Sequence, residues 1–429
     1  MTRILIYAMN YAPEMAGVGR YNGEIGEHFA RSGHEVAVVT TIPHYPGWKP
    51  APGYRNGRYV SEMREGVAVT RCPLLLRERM GGIWRLIAPL TFAVTSAPVA
   101  LWRTLRFRPE VVLCVEPTLM IAPVGVLMAR LVGAKTALHV QDLEVDAAFA
   151  VGHLKGNGWL QRVASRCERW LLRRFDRLVT ISGAMAERLA RKGVAADRIA
   201  IVYNWVDLDA IKPLGRQSVY RDELGFGASD RIVLYSGAIG AKQGFDDVID
   251  AAERLARRQD IQFVIAGEGP AKPALAERAA SSRNVRFLPF QPYSRLSEFL
   301  GLADLHILPQ ASAAADLVLP SKLGGMLASG RRIVVTAAAG CELERFVAGA
   351  ATVVPPANGE ALAEAIERVV DDPRPEGAAF RRRLAERLAK SDGLKCFEAL
   401  VVDWEPMALS RRAARAAAAF APSSGEAAR

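Results

Sequence analysis

The sequence predicts two doubly wound α/β domains, and three observations predict them. Short β-rich runs alternate with helical patterns through the first half. Those runs are apolar throughout instead of alternating in polarity. The same alternation begins afresh after Asp207–Asp230, a stretch richer in polar residues, Gly and Pro. Alternation of this kind reads as βαβ units on a parallel sheet, and uninterrupted apolar strands belong to sheets covered on both faces.

The first half offers strands at Ile4–Ala8, Glu35–Thr40, Val111–Val115, Thr136–Val140, Leu178–Ile181 and Ile199–Tyr203, with helical periods at Tyr21–Ser32 and Leu160–Phe175. The second half offers strands at Ile232–Tyr235, Gln262–Ala266, Val285–Leu288, Leu305–Leu308 and Ile333–Thr336. Its helices are expected at Phe245–Arg258, Pro270–Ala280, Tyr293–Leu300 and Gly359–Val370. The expected domains are therefore residues 1–206, completed by a C-terminal helix at 391–405, and residues 207–390. The Ala- and Arg-rich tail, 406–429, is expected to be poorly ordered. Two such domains facing each other would place ligands at strand C-terminal ends, in the cleft between them.

A chain of 429 residues, half of them hydrophobic, has ample material for two cores. Its formal net charge of +11 points to anionic partners such as nucleotides or phospholipids. Neither an aromatic-rich RNA signature nor a zinc-finger spacing is present, so no nucleic acid partner is expected. Cys72, Cys114, Cys167, Cys341 and Cys396 are scattered and lack any CxxC, which reads as reduced, buried thiols in a cytosolic protein. The chain opens directly on a strand pattern, Arg3–Met9, with no export signal. Leu86–Trp102 carries no charge, but it is short for a membrane span and is interrupted by Pro89 and Pro98, so a buried or interfacial helix is expected there.

Five strand-exit loops combine glycines with acids or lysines. Asn10–Arg20 carries Gly17 and Gly19 where a strand gives way to a helix, and their backbone would let an anion approach closely. His139-Val-Gln-Asp142 follows an apolar strand, and its polar groups, with Glu144 and Asp146 beyond, should line the cleft. Ser236–Gly244 places Gly237 and the single cation Lys242 together, a chemistry suited to a diphosphate. In Ile265–Pro270 an acid, Glu268, stands between glycines, where it would bond a ribose or sugar hydroxyl. Asp316–Gly325 leads into a helix with Asp316, Ser321 and Lys322 at its approach. Plain glycine turns and ordinary helix starts with proline account for any one of these loops alone; their shared placement gives them weight. No metal-ligand spacing accompanies them.

On Trp159–Arg177, Arg162, Arg166, Arg169 and Arg173 recur at helical spacing, while Leu160, Val163, Cys167, Trp170 and Leu171 fall on another face. This reads either as a solvated basic face or as a contact for anionic lipid headgroups or a lipid-linked pyrophosphate.

These motifs together resemble the retaining GT-B glycosyltransferases of family four. The residues that carry the resemblance are the Pro13–Gly19 loop, His139–Asp142, Ile181-Ser182, Asn204–Asp207, Tyr235–Gly244, Phe263–Pro270 and Pro320–Gly330, over nearly all of residues 2–405. More narrowly, HVQDLEVDA, YSGAIGAKQG and DLVLPSKLGGMLASG are similar to the colanic-acid fucosyltransferase branch. The resemblance implies a GT-B fold in which Gly17 and Gly19 lie near donor phosphate and acceptor, and His139 lies at the reacting sugar. Lys242 is implied on the donor pyrophosphate and Glu268 beside the nucleotide. The family's two glutamates, eight residues apart, read here as Leu317 and Gly325. Asp316 is the candidate to replace the first, and Glu342 or Glu344 the second, which normally holds the ribose. The arginine usual in the Lys242 loop is also missing, with Ala238 near its place.

The implied reaction is a retaining, metal-independent sugar transfer in bacterial exopolysaccharide biosynthesis. GDP-fucose is the first-guess donor, and a polyprenyl-pyrophosphate-linked oligosaccharide at the inner face of the plasma membrane is the acceptor. No cofactor is expected; the nucleotide-sugar is a co-substrate. A sugar-nucleotide epimerase and a catalytically silent scaffold of an assembly complex stand as rivals. A nicotinamide enzyme is disfavoured, because no dinucleotide fingerprint follows the first strand.

Overall fold

The computed structural model describes residues 1–14, 17–77, 84–143, 158–240, 243–312, 319–373 and 377–404. The expected tail, 406–429, lies outside them. The chain divides into Met1–Tyr203, joined by the C-terminal helix from Leu394, and Asn204–Gly393.

The first unit carries an eight-stranded sheet in the order β3-β4-β2-β1-β5-β6-β7-β8. Its strands are β1 Arg3–Tyr7, β2 Glu35–Thr41, β3 Val60–Arg64, β4 Val67–Cys72, β5 Val111–Glu116, β6 Lys135–Val140, β7 Arg177–Thr180 and β8 Ile199–Ile201. All pairs are parallel except the β3–β4 hairpin at the edge. That hairpin escapes the apolar-run criterion, because β3 (VSEMR) is mostly exposed and β4 contains Arg71. Arg71 is nonetheless wholly buried, and its guanidinium donates to Thr41 O (2.9 Å), Ala12 O (2.6 Å) and Glu62 Oε1 (2.6 Å). A side chain that reads as an interruption is a pin between β3, the end of β2 and the loop after β1.

The apolar stretch Leu86–Trp102 lies within one helix, Trp84–Phe107, which runs on through Pro89 and Pro98. Ala88, Phe92, Ser96, Ala100 and Thr104 form its buried seam at i, i+4 spacing. Among the described residues, no helix is long and apolar enough to cross a membrane. Gly158–Leu172 departs from its expected faces. Among its described side chains Glu168, Leu171 and Leu172 are buried, whereas Val163 and Trp170 stand out in solvent with the arginines. Cys167 on the same helix is likewise exposed, against the expectation of buried thiols.

The C-terminal helix Lys390–Val401 supplies the first unit's last layer. The Phe397 ring lies 6.3 Å from Phe29 and 4.8 Å from the imidazole of His139. The Glu398 carboxylate accepts from Nε2 of His28 (2.6 Å), Nε2 of His34 (2.9 Å) and Oγ of Ser32 (3.1 Å). The backbone N–H of Thr2 donates to His34 Nδ1 (3.1 Å), so the His34 proton sits on Nε2, facing the carboxylate.

The second unit carries a wholly parallel sheet in the order β11-β10-β9-β12-β13-β14. These strands are β9 Arg231–Ser236, β10 Ile261–Ala266, β11 Val285–Leu288, β12 Leu305–Leu308, β13 Arg332–Thr336 and β14 Thr352–Val354. Successive residues of β9 serve opposite faces. Val233 and Tyr235 pack with Phe245, Val248 and Leu362, while Ile232 and Leu234 pack with Tyr220 and Phe299. Each such side chain stabilises the fold by about 1.5–3 kcal/mol, and their uninterrupted apolar run is what made the strand legible in sequence.

Candidate functional site

The strand order reverses direction between β9 and β12 in the second sheet and between β1 and β5 in the first. Crevices for ligands open at the carboxyl ends of strands where the order reverses, so the loops at these two places are where chemistry is expected.

In the second unit, the end of β9 is built around Tyr235. Its ring is wholly buried, and its hydroxyl donates to Ala238 O at 2.5 Å. The same hydroxyl accepts from the Lys322 ammonium, which lies 4.6 Å from the centre of the tyrosine ring. A Cβ on Gly237 would lie 3.0 Å from the Lys322 Nζ, so a side chain here would displace the cation. Burial pushes the lysine pKa down to about 7. The structure thus brings Lys322 to Gly237, two residues that the sequence reading had placed in separate loops. Tyr235, which holds the lysine, opens one of the motifs that carry the family resemblance, but nothing in the sequence assigns its hydroxyl to a lysine.

The β10 exit locks onto this loop through backbone. Ile239 N donates to Glu268 O (3.0 Å) and Gly237 N to Ala266 O (2.9 Å). A Cβ on Gly267 would fall 1.8 Å from Gly237 O, which only glycine permits. Glu268 itself is half exposed and pairs with Lys272 at 2.8 Å, one helical turn on. Ser321 is exposed beside Lys322. Glu342 opens the helix after β13 and is half buried, while Glu344 accepts from the Gly340 amide. At the glycine that stands for the family's second glutamate, Gly325, a Cβ would point at Leu300 (3.2 Å) and Ile211 (3.7 Å). That position faces apolar packing. Lys242 and Asp316 lie outside the described residues.

In the first unit, the loop after β1 is organised by a buried carboxylate. Glu14 accepts from the backbone amides of His44 and Tyr45 at 2.9 Å each and from Asn10 Nδ2 at 2.9 Å. Gly19 is required by this clasp, since a Cβ there would lie 2.3 Å from Glu14 Oε2. Gly17 precedes helix Val18–Arg31 with φ +64° and packs against Tyr45. Both glycines stand at the strand-to-helix turn, but the space that Gly19 leaves open is taken by the Glu14 carboxylate and not by an approaching anion.

His139 is buried, against the expectation that the polar groups after β6 are open to solvent. It is 1% exposed in mid-sheet packing, edge-on to Phe397, and Gln141 Nε2 donates to its Nε2 at 3.1 Å. Burial lowers its pKa to about 3, which keeps the ring neutral. Asp142, at the β6 exit, is half buried. Glu116, buried at the end of β5, is a carboxylate beside the reversal of the first sheet and was missed because it ends an apolar run. Among the described residues, no group of three His, Cys, Asp or Glu side chains could hold a metal.

Comparison with known proteins adds to this geometry. Residues 16–205 match the glycosyl transferase 4-like domain, and residues 217–390 match the glycosyl transferases group 1 domain. The chain is 39% identical over 407 residues to the colanic acid biosynthesis glycosyl transferase WcaI of Escherichia coli K12, covering 92% of this chain and 98% of that one. It is 29% identical over 239 residues to the alpha-D-kanosaminyltransferase of Streptomyces kanamyceticus, covering 53% and 58% of the two chains. Among solved structures, sucrose-phosphate synthase from Thermosynechococcus elongatus aligns with TM-score 0.68 at 16% identity, over 97% of this chain and 100% of that one. Anabaena HepE in complex with UDP and glucose aligns with TM-score 0.68 at 15% identity, over 94% and 100%.

Proposed function

The chain belongs to the GT-B glycosyltransferases of family four, and on that premise we propose that it transfers fucose from GDP-fucose, with retention, to a lipid-linked oligosaccharide during assembly of a colanic-acid-like exopolysaccharide. The observation that carries the donor half is the half-buried Lys322 ammonium, held by Tyr235 against Gly237 where the second sheet reverses. A fixed cation among backbone amides suits a diphosphate, and it stabilises the charge that grows there in the transition state. Similarity to WcaI over nearly its whole length supports the exopolysaccharide setting. The sugar and the base of the nucleotide rest on the resemblance of HVQDLEVDA, YSGAIGAKQG and DLVLPSKLGGMLASG to the fucosyltransferase branch.

In the proposed reaction, the bond from the sugar's anomeric carbon to the diphosphate oxygen breaks. A bond to the acceptor hydroxyl oxygen forms on the same face, and the hydroxyl proton passes to the departing diphosphate. Lys322 answers the negative charge without a metal. Asp142 is assigned to the sugar or acceptor side, and Glu342 to the ribose. The protein works at the inner face of the membrane that carries its acceptor.

The test is the melting temperature against a panel of nucleoside diphosphates and their sugars, because a ligand that binds the folded state raises it by mass action. A shift with GDP and GDP-fucose, followed by fucosyl transfer that survives a chelator, is the expected result. A shift with UDP sugars instead removes fucose, and no shift with any nucleotide overturns the donor assignment.

A further inference from the structure

Building on the proposed membrane-borne acceptor, we propose that the outer face of one helical layer in the first unit is a docking surface for an anionic phospholipid bilayer. Strands β5 to β8 step across the sheet in one direction. Their right-handed connections therefore place helices Ala122–Val132, Gly158–Leu172 and Gly183–Arg191 on one face. Helix Trp84–Phe107 packs beside the first of these.

The outward residues of this layer are of the wrong kind for water. On Gly158–Leu172, opposite the buried Glu168 and Leu172, Trp159, Val163 and Trp170 stand 60%, 47% and 55% exposed. They fall within one narrow stripe of the helix, flanked by Arg162, Arg166, Arg169 and Arg173. On the neighbouring pair of helices, Leu90, Val94, Leu105, Leu127 and Leu131 are also exposed. Apolar residues gathered on one face mark an interaction site.

The arginines choose the partner. Arg166, Arg169, Arg173 and Arg174 surround a hollow of about 550 Å³ beside Trp170. Arg162, Arg169, Arg188, Arg191 and Lys192 line a second, of about 470 Å³. The one acid among the described residues lining the second is Glu168, which is turned inward onto Lys192. Guanidiniums around an open hollow match phosphate oxygens, and indoles beside them settle at the boundary between headgroups and acyl chains. A second copy in a two-fold contact would set the same arginines against one another.

Flotation of the full chain with vesicles of phosphatidylcholine, alone or mixed with phosphatidylglycerol, tests the surface. Binding is expected to the mixed vesicles only, to weaken with salt, and to blue-shift tryptophan emission. Arg166→Gln with Arg169→Gln should weaken it about thirtyfold, at roughly fivefold per arginine. Trp159→Ser with Trp170→Ser should abolish the emission shift. Indifference of the native chain to the mixed vesicles, or variants that float like the native chain, would overturn the proposal. So would a concentration-dependent dimer that the tryptophan variants abolish. The melting shift with GDP-fucose and transfer to a soluble acceptor read the enzyme separately, so their persistence without flotation leaves the activity standing and removes only the surface.

Discussion

The two sheets end in loops of the same outline and opposite character. After β1, the polar centre is a carboxylate, Glu14, whose oxygens are engaged by two backbone amides and an asparagine. After β9, the polar centre is a cation, Lys322, braced by a phenol and set against a glycine. Glycines in both places bring backbone close, yet in the first they make room for the protein's own carboxylate. The same strand–loop–helix device thus closes a loop in one half and builds a receptor for an anion in the other.

The largest effect should come from removing the cation. Lys322→Ala is expected to cut turnover about 10²–10³-fold, on the scale of losing one donor aimed at developing charge, and to erase the melting shift with nucleoside diphosphate. Undiminished turnover would end the contrast between the halves. Glu14→Ala should act on stability instead, by about 1–3 kcal/mol, because it leaves buried amides without an acceptor. Chemical denaturation reads that loss, and the nucleotide shift should survive in the fraction that folds.

Proton linkage gives the next effect. The free ammonium of Lys322 loses its proton near pH 7, while a diphosphate binds the charged form. Donor affinity should therefore hold steady below that pH and fall up to about tenfold per unit above it, as titration calorimetry across pH would show; in Lys322→Ala the profile should be flat. Stability runs the other way. The unfolded chain keeps its lysine proton between pH 7 and the ordinary lysine range, so this group's contribution to stability rises with pH across that window. Tyr235→Phe is a smaller change. It deletes the hydroxyl that positions the ammonium, and should raise the donor KM by about tenfold while leaving kcat closer to native. His139→Gln should have the smallest effect on turnover per folded molecule, with its cost visible in the melting temperature. A large fall in kcat at an unchanged melting temperature would return the histidine to the chemistry.

Much of the architecture was legible because β1, β5, β9 and β10 are apolar on both faces, and a parallel sheet demands that. The β3–β4 hairpin was not legible, since β3 has an edge strand's exposed residues and the key side chain of β4 is an arginine that only the third dimension buries. Gly237 was singled out for its place after a strand and Lys322 for its place before a helix. The role of Tyr235 could not be read, because a tyrosine at a strand end is ordinary until its hydroxyl finds a lysine 87 positions away. His139 shows the opposite failure. Polar neighbours made it look like part of a surface, but the covering ring, Phe397, arrives from 258 positions downstream, and local sequence carries no trace of it.

That late arrival has a bearing on how the polypeptide is made. Synthesis proceeds from the N-terminus, and domains generally fold as units as they emerge. The first unit's sheet is complete once β8 has left the ribosome, yet Phe29 and His139 stay uncovered until Phe397 follows. The whole of the second unit is translated in that interval. A nascent chain stalled at any point within it would present a finished sheet with one bare apolar flank, a substrate for chaperones, and the imidazole–carboxylate clasp at Glu398 would close only after the second unit has been made.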